Sequence, residues 1–332
     1  MKKYVLFGFA AAMTLASCTQ SEVLETAIES PMEFSSFVNK STKAPITADN
    51  ITNSVFAVWG YKYKTSGTPA TIVPVFENVP VKYDKTLSIP AWIYNFDGQP
   101  IRYWDKTCTY DFYAYAPSSV NASISTVSKG AATMTVTGFE VSNTTYTDHT
   151  DLMVADPIKG TVDYANKQQF TFNHKLTKVN MKIKKASTLS NDVVKLVSAT
   201  FKGVANKADF TYVFGTSGLG SWVLSEETSD KVDFPAVLTN LSESVIAESE
   251  SLIFTDLLMI PQSISSDQFE INYTINNEPF SKTLNLASTW GINESYLYTL
   301  TIDASAIEFS ATVNEWTETT NNNTTTTVKD QN

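Results

Sequence analysis

The cysteine at position 18 is the residue of this sequence whose surroundings point most directly to chemistry. Lys2 and Lys3 form a basic start, residues 4–16 are almost wholly apolar, and small residues lead into Cys18. This order, basic then apolar then small, is typical of a secretory signal. The apolar run is shorter than the roughly 20 residues that a membrane-spanning helix needs. We therefore expect residues 1–17 to be a cleaved signal peptide.

The residues next to Cys18 indicate that its thiol carries lipid. Residues 15–18 read Leu-Ala-Ser-Cys, which resembles the bacterial lipobox, where the thiol is acylated and the chain is cut just before it. A thiolate is the strongest nucleophile available for this alkylation, and Thr19 fits an outer-membrane destination. The alternative is an ordinary signal with a chance cysteine. We predict an exported lipoprotein that is exposed at the cell surface and held to the outer membrane through Cys18.

The composition excludes several kinds of partner and site. The net charge is −10 and the chain has no basic run, so we expect no binding of nucleic acid. The single arginine, Arg102, provides no clamp for phosphate or carboxylate groups. With Cys18 committed to lipid, Cys108 has no disulfide partner, and we interpret it as a buried thiol. The two histidines, His149 and His174, are 25 residues apart and have no partner cysteine, so we expect no metal site.

Motifs for catalysis are equally scarce. Residues 215–220 read Gly-Thr-Ser-Gly-Leu-Gly, which fits neither a nucleophile elbow nor a phosphate loop, and we interpret them as a hairpin turn. Acidic pairs such as Glu226 with Glu227, or Asp148 with Asp151, resemble glycosidase carboxylates. A chain with 34 acidic residues produces such pairs in solvated loops. We therefore expect no enzyme, no catalytic residue and no cofactor.

Alternating apolar residues predict β-strands from residue 54 onward. The clearest pattern is residues 170–185, where Phe170, Phe172, His174 and Leu176 share one face, and Thr171, Asn173 and Lys175 share the other. The parity then flips, which predicts a β-bulge near Thr177. His174 lies on the apolar face, which favours a hydrogen-bonded core histidine over a catalytic one. Because no stretch has a long helical period, the sequence predicts an all-β chain, arranged as two sandwiches.

Composition divides the chain into five predicted parts. The polar tail is rich in Thr and Asn and is predicted to be disordered. The parts are the signal peptide 1–17, a tether with a removable N-terminal strand at 18–50, an N-terminal sandwich at 51–165, a C-terminal sandwich at 166–318, and the tail 319–332.

Motifs spread over nearly all of the mature chain carry a family resemblance. They are Trp104-Asp105, residues 110–117 (Tyr-Asp-Phe-Tyr-Ala-Tyr-Ala-Pro), 151–155 (Asp-Leu-Met-Val-Ala), 170–176 (Phe-Thr-Phe-Asn-His-Lys-Leu), 260–262 (Ile-Pro-Gln), Trp290-Gly291, 296–298 (Tyr-Leu-Tyr) and 307–309 (Ile-Glu-Phe) with Val313 and Trp316. In this order and spacing they resemble the fimbrillin-like lipoproteins of Bacteroidales, the group that contains the type V pilins.

The resemblance implies two tandem transthyretin-like Greek-key β-sandwich domains and a role in fimbriae. In the family, a lipidated precursor reaches the outer membrane and a protease removes its N-terminal strand. The groove that is left accepts a strand from a neighbouring subunit, which is β-augmentation. Carried onto this chain, the removed strand includes residues 32–38. The cut falls after Lys43 as first choice and after Lys40 as second.

The donor strand and the function leave alternatives open. Ile307, Phe309, Ala311 and Val313 alternate well enough to be a donor strand, or they form the last strand of their own domain. The implied function is a structural or adhesive subunit of outer-membrane fimbriae, with other fimbrial subunits and a host or bacterial surface ligand as partners. The alternative is a surface glycan-binding β-sandwich lipoprotein, which 6 Trp, 15 Tyr and 19 Phe favour. Exposed coplanar Trp or Tyr pairs would support that alternative.

Overall fold

The computed structural model describes residues 30–38, 50–64, 71–146, 149–160, 163–236, 244–286, 288–304, 306–316 and 324–329. These residues are almost entirely β-structure, which confirms the predicted all-β class. Helical structure in this part of the chain takes the form of three-residue 3-10 turns, at Ile51–Asn53, Ser187–Leu189 and Thr228–Asp230. Nothing helical among the described residues has the length and apolar character needed to cross a bilayer.

Strands from the first half of the chain form an eight-stranded sheet. They are β1 (Phe34–Val38), β2 (Phe56–Lys64), β3 (Ile72–Asp84), β4 (Ala91–Ile93), β5 (Cys108–Ala116), β8 (Met153–Ala155), β9 (Ile158–Gly160) and β10 (Gln168–His174). The order is β1-β10-β8-β5-β2-β3-β4, with β9 paired to β5. The pair β1–β10 is parallel, and the other pairs are antiparallel.

A four-stranded sheet packs against one face of this sheet. Its strands are β6 (Ala122–Ser128), β7 (Ala131–Glu140), β13 (Lys207–Phe214) and β14 (Ser221–Leu224), in the order β14-β13-β7-β6. The Tyr113 ring of β5 lies 4.6 Å from the Phe214 ring of β13, measured between centroids. Both side chains are fully buried, so the two sheets share a sandwich core.

The remaining strands form three further sheets. The five-stranded sheet is β16-β11-β21-β22-β23, from β11 (Thr177–Lys185), β16 (Ser251–Met259), β21 (Glu294–Ile302), β22 (Ile307–Glu315) and β23 (Thr324–Lys329). The four-stranded sheet is β15-β12-β18-β19, from β12 (Val194–Ala205), β15 (Lys231–Pro235), β18 (Phe269–Ile275) and β19 (Glu278–Thr283). A small sheet pairs β17 (Ser263–Ile264) with β20 (Ser288–Thr289).

The eight-stranded sheet is covered on both faces, and β5 shows why. On one face, Phe112 and Ala114 belong to an aromatic core with Phe34, Phe76 and Phe170. On the other face, Tyr113 and Tyr115 belong to a larger core that continues through the remaining sheets. A strand with both faces buried reads as a continuous apolar run. The observed layers are consistent with β-sandwiches.

Three sequence expectations need comment against the strands. The parity flip near Thr177 is not a bulge inside one strand: β10 ends at His174, and β11 begins at Thr177 in a different sheet, so each strand sets its own buried face. The predicted domain boundary at 165/166 precedes β10, which pairs with β8, and β13 pairs with β7 across it. That boundary and the count of two domains stay predictions. In the tail 319–332, predicted to be disordered, β23 is a strand, because β-branched threonines suit the open edge of β22.

Candidate functional site

The strand β1 lies at one edge of the eight-stranded sheet and has few backbone partners. Its five residues pair in parallel with β10, from Phe34 opposite Gln168 to Val38 opposite Phe172. A short parallel pair at a sheet edge provides little backbone stabilisation. What else holds β1 therefore has to come from its flanking residues and its side chains.

Hydrogen bonds on both sides seat the residues that lead into β1. On one side, the Gln168 N–H donates to the Glu33 carbonyl at 2.9 Å. On the other side, the Met32 N–H donates to the Arg102 carbonyl at 2.8 Å, and the Trp104 N–H donates to the Ser30 carbonyl at 3.1 Å. The segment 30–38 thus fills a slot between β10 and the stretch 102–104.

Side-chain burial is the strongest attachment of this segment. Met32, Phe34 and Val38 are 2%, 1% and 0% exposed. The Phe34 ring has four aromatic neighbours at centroid distances of 5.1 to 5.9 Å, namely Phe76, Phe112, Phe170 and Tyr94. Aromatic pairs in such edge-to-face and tilted arrangements contribute about 0.5–1.5 kcal/mol each beyond their buried area. Without segment 30–38, the four aromatic neighbours of Phe34 would line an open apolar groove.

Arg102 has a structural role at one end of this groove. Its Nε donates to the Val75 carbonyl at 2.6 Å, and its guanidinium carbon lies 4.5 Å from the centroid of the Phe76 ring. Partial burial lowers the pKa of the guanidinium from its ordinary value. The Tyr94 hydroxyl accepts the Arg102 N–H at 3.0 Å. Because the Arg102 carbonyl accepts from Met32, the arginine shapes the slot that receives the N-terminal segment.

The predicted lipidation and processing residues lie outside the described residues. Cys18 precedes residue 30, and Lys40 and Lys43 fall in the stretch 39–49. In sequence, both lysines stand between the end of β1 at Val38 and the 3-10 turn at Ile51–Asn53. A cut at either lysine would therefore separate β1 from the rest of the chain, and the choice between them stays a prediction.

The candidate donor residues lie in β22, paired within their own sheet. The pairing with β21 runs without a register shift from Ile307 opposite Ile302 to Glu315 opposite Glu294, and β23 pairs the other edge. Ile307 and Phe309 are 1% and 6% exposed, whereas Ala311 and Val313 are half-buried. In the single chain they thus form an inner strand of their own sheet, and their donation to a neighbour stays a prediction.

The polar groups that suggested chemistry serve the core. His174 is 1% exposed, and its Nδ1 lies 3.0 Å from Asp151 Oδ1, which confirms the predicted hydrogen-bonded core histidine. Its Nε2 is buried with no hydrogen-bond partner, so no nucleophile completes a triad in the part of the chain that the structure describes. Cys108 is buried, as predicted; burial raises the pKa of its thiol, which donates to Asp105 Oδ2 at 3.3 Å.

The sequence patterns do not predict the burial of Lys175. The alternation places Lys175 on a polar face, yet it is 2% exposed, with Nζ 4.5 Å from the centroid of the Tyr212 ring. Burial lowers its pKa to about 8. Lys175 lies in the crossing from β10 to β11, where strand alternation no longer reports which face is buried. Its carbonyl accepts the Trp222 indole N–H at 2.8 Å.

Among the described residues, the stacked rings lack the exposed Trp or Tyr platform that would support the glycan-binding alternative. The stacked pair Trp59–Tyr115 is buried. Where Trp92 meets Tyr83, the rings are T-shaped, with planes at 64°. The stacked pair Tyr273–Phe280 has only Phe280 exposed, at 38%. Within the residues that the structure covers, each stacked pair that includes Trp or Tyr has at least one buried ring.

Comparison with protein families gives one match, over most of the chain. The sequence profile of the family described as Fimbrillin-like matches residues 42–316. The match begins after β1 and extends to Trp316, just past β22. No curated protein matches this sequence.

Comparison with solved structures returns adhesion and fimbrial proteins. A candidate cell adhesion protein from Bacteroides ovatus has 15% identity and a TM-score of 0.54, with 88% of this chain and 99% of that chain covered. One from Bacteroides uniformis has 19% identity and a TM-score of 0.48, with 87% and 99% covered. The tip fimbrial protein Mfa3 from Porphyromonas gingivalis has 8% identity and a TM-score of 0.38, with 84% and 99% covered. At these identities, the Bacteroides ovatus structure supports the fold alone.

Proposed function

Because the chain belongs to the fimbrillin-like family, we propose that it is a structural or adhesive subunit of fimbriae on the outer membrane. The profile match covers residues 42–316, and the family is one of fimbrial proteins rather than enzymes. Association with other fimbrial subunits follows from this membership. The all-β architecture suits a subunit that presents sheet edges to its neighbours.

The observation that carries the assembly mechanism is the docking of segment 30–38. A short edge strand with three fully buried apolar side chains occupies a groove, and it precedes a stretch that contains Lys40 and Lys43. Cleavage in that stretch allows the strand to leave, which exposes the apolar groove to water. A strand from a neighbouring subunit then fills it, with backbone hydrogen bonds providing affinity and the pockets providing specificity.

The side chains of β22 suit the positions that β1 leaves. The inward sequence of the N-terminal segment is Met32, Phe34, Ser36 and Val38, and that of β22 is Ile307, Phe309, Ala311 and Val313. From N- to C-terminus, each set consists of a large aliphatic residue, a phenylalanine, a small residue and a valine. Ser36 Oγ is buried without a hydrogen-bond partner, so an alanine there leaves no polar group unsatisfied. This similarity supports another copy of the chain, or a related subunit, as the donor.

Export as a lipoprotein fits the same scheme. Multiple acyl chains on Cys18 would hold the precursor to the outer membrane, since one chain alone gives only marginal binding. A cut after Lys43 would then remove the lipid anchor together with β1. The outer membrane is in this scheme the site of maturation, and the fimbrium is the final location.

Limited trypsin digestion of a soluble precursor tests this proposal. The precursor lacks residues 1–17 and has Cys18 replaced by serine, and the K40Q/K43Q double variant is the matched control. We expect cleavage after Lys43 or Lys40 in the precursor alone, followed by ladders or filaments of the trimmed product. Resistance of both lysines to trypsin contradicts processing in this stretch, and a trimmed product that stays monomeric contradicts self-assembly.

A peptide experiment tests the groove directly. A synthetic peptide of residues 306–315 should bind the trimmed product and not the untrimmed precursor, in which β1 fills the groove. The same peptide with Phe309→Ser is the control, because it puts a hydroxyl where Phe34 contacts four aromatic rings. Equal binding of the two peptides contradicts the placement of Phe309 in the pocket of Phe34. Binding to the untrimmed precursor contradicts binding in the β1 groove.

A further inference from the structure

Trp316, the residue after β22, docks on a strand of the N-terminal sheet. Its side chain is 2% exposed, and its indole stacks on the imidazole of His174, with centroids 4.0 Å apart and planes 6° from parallel. Its backbone N–H donates to the Asn293 carbonyl at 2.7 Å. The residue that follows β22 is thus fixed by a ring contact to β10 and by a backbone hydrogen bond.

The surface that receives the indole is buried and hydrogen-bonded. His174 is the last residue of β10, and the Asp151 carboxylate holds its Nδ1 at 3.0 Å, with both side chains 1% exposed. Lys178 Nζ lies 5.3 Å from the Trp316 ring centroid and 4.0 Å from Asp256 Oδ1. The hydrogen bond to a buried carboxylate fixes the plane of the imidazole on which the indole stacks.

The position of Trp316 matters because the burial of β22 decreases along its length. Ile307 and Phe309 are buried, Ala311 and Val313 are half-buried, and Asn314 is exposed. Burial returns at Trp316. The second half of β22 is therefore retained by backbone pairing with β21 and β23, and among the described side chains Trp316 is the next buried one after Phe309.

We propose that Trp316 is a latch that retains β22 within its own chain by stacking on His174. The latch closes the end of the strand that has the weakest side-chain burial. It also meets β10, the strand that carries β1 along the residues Gln168–Phe172. One strand thus contacts both the removable segment and the latch.

A regulatory role for the latch rests on the function proposed above. If β22 is the donor, Trp316 is an autoinhibitory contact that keeps the donor in its own sheet until assembly. Departure of β1 removes the hydrogen-bonded neighbour of β10 just before His174, which loosens the surface on which the indole stacks. Maturation at one end of the chain would then favour strand release at the other end.

Hydrogen exchange in the unassembled precursor tests the latch. We expect W316L to speed exchange of the amides of residues 311–316 by about tenfold, since a stacked, buried ring is lost. W316F should give a smaller increase, because a phenyl ring still stacks. The matched control is W92L, which removes a half-buried indole from β4 and should leave these amides unchanged.

Two outcomes overturn the latch. One is unchanged exchange at residues 311–316 in folded W316L; the other is an equal rise in every sheet, which reports general destabilisation. If W316L does not fold, the exchange rate of the Trp316 amide in the unmodified precursor tests the latch instead. Exchange as fast as that of a frayed strand end contradicts the latch, and protection supports it. Exchange is measured before assembly, so a failed latch is distinguishable from a failure to polymerise.

Discussion

The strands β1 and β22 carry similar inward side chains, yet they are retained by different forces. β1 has five parallel pairs to one neighbour, and its buried residues Met32, Phe34 and Val38 fill an aromatic core. β22 has nine residues in antiparallel pairing with β21 and a second neighbour in β23. Side-chain burial dominates at β1, and backbone pairing dominates at β22. In the proposed strand exchange, a strand of the first kind leaves once its covalent link is cut and another strand with matching side chains replaces it.

The largest expected effect is from removing the principal buried side chain of β1. Phe34→Ala should lower the free energy of unfolding of the precursor by about 3–5 kcal/mol, the usual range for a buried phenylalanine. Phe37→Ala, on the same strand but half-buried, is the matched control and should cost clearly less. Urea unfolding measures both. Equal losses at the two positions would mean that the aromatic groove does not dominate the attachment of β1.

The next largest effect is expected from the buried charge of Lys175, which lies between β10, the neighbour of β1, and β11, in the sheet that holds β22. Its pKa is lowered to about 8 in the folded chain, against roughly 10.4 when unfolded. Above pH 8 the unfolded state therefore binds more protons than the folded state, so stability rises with pH up to about 10. The gain expected from Lys175 is about 2–3 kcal/mol between these limits.

Lys175→Met tests this pH dependence. The variant should be more stable than the unmodified chain at pH 7, because no charge is buried, and it should lack the rise between pH 8 and pH 10. Burial raises the pKa values of tyrosines such as Tyr212, and their ionisation in the unfolded state opposes the rise only near and above pH 10. Parallel stability curves for the two proteins would contradict this assignment.

A smaller effect is expected where the groove is tightly packed. A Cβ on Gly60 would lie 2.8 Å from the Phe112 ring and 2.9 Å from the Phe76 ring, both of which contact Phe34. Gly60→Ala should therefore displace these rings and cost about 1–3 kcal/mol. Hydrogen exchange measures where the strain acts: we expect the amides of β1 to exchange faster in Gly60→Ala and those of β22 to be unchanged. Gly218→Ala is the control for added bulk alone, because Gly218 is exposed and its Cβ would make only an ordinary 3.5 Å contact with Thr216 Oγ1.

The sequence predicts the fold class better than the connections between sheets. Alternation in residues 170–174 is local, and the structure has the expected buried face there. The flip near Thr177 predicts a bulge, which is wrong because a one-dimensional pattern does not show that the chain changes sheets. The burial of Lys175 and the stack of His174 on Trp316 depend on residues distant in sequence, so no local pattern contains them. The family resemblance implies a groove beneath a removable N-terminal strand, and the aromatic side chains that surround β1 are distant in sequence, so only the structure identifies them.

The smallest expected effect separates charge from burial at β1. The one ion pair described for the segment 30–38 joins Lys167 Nζ to Glu33 Oε2 at 3.8 Å, with both side chains about half exposed. Exposed pairs at such distances contribute roughly 0–1 kcal/mol, and salt screens them further. Lys167→Met should therefore change the stability and the exchange of β1 amides by less than about 0.5 kcal/mol. A larger loss of stability that disappears at high salt would show that electrostatics contributes to retaining β1. Ion pairing would then join side-chain burial in the contrast between β1 and β22.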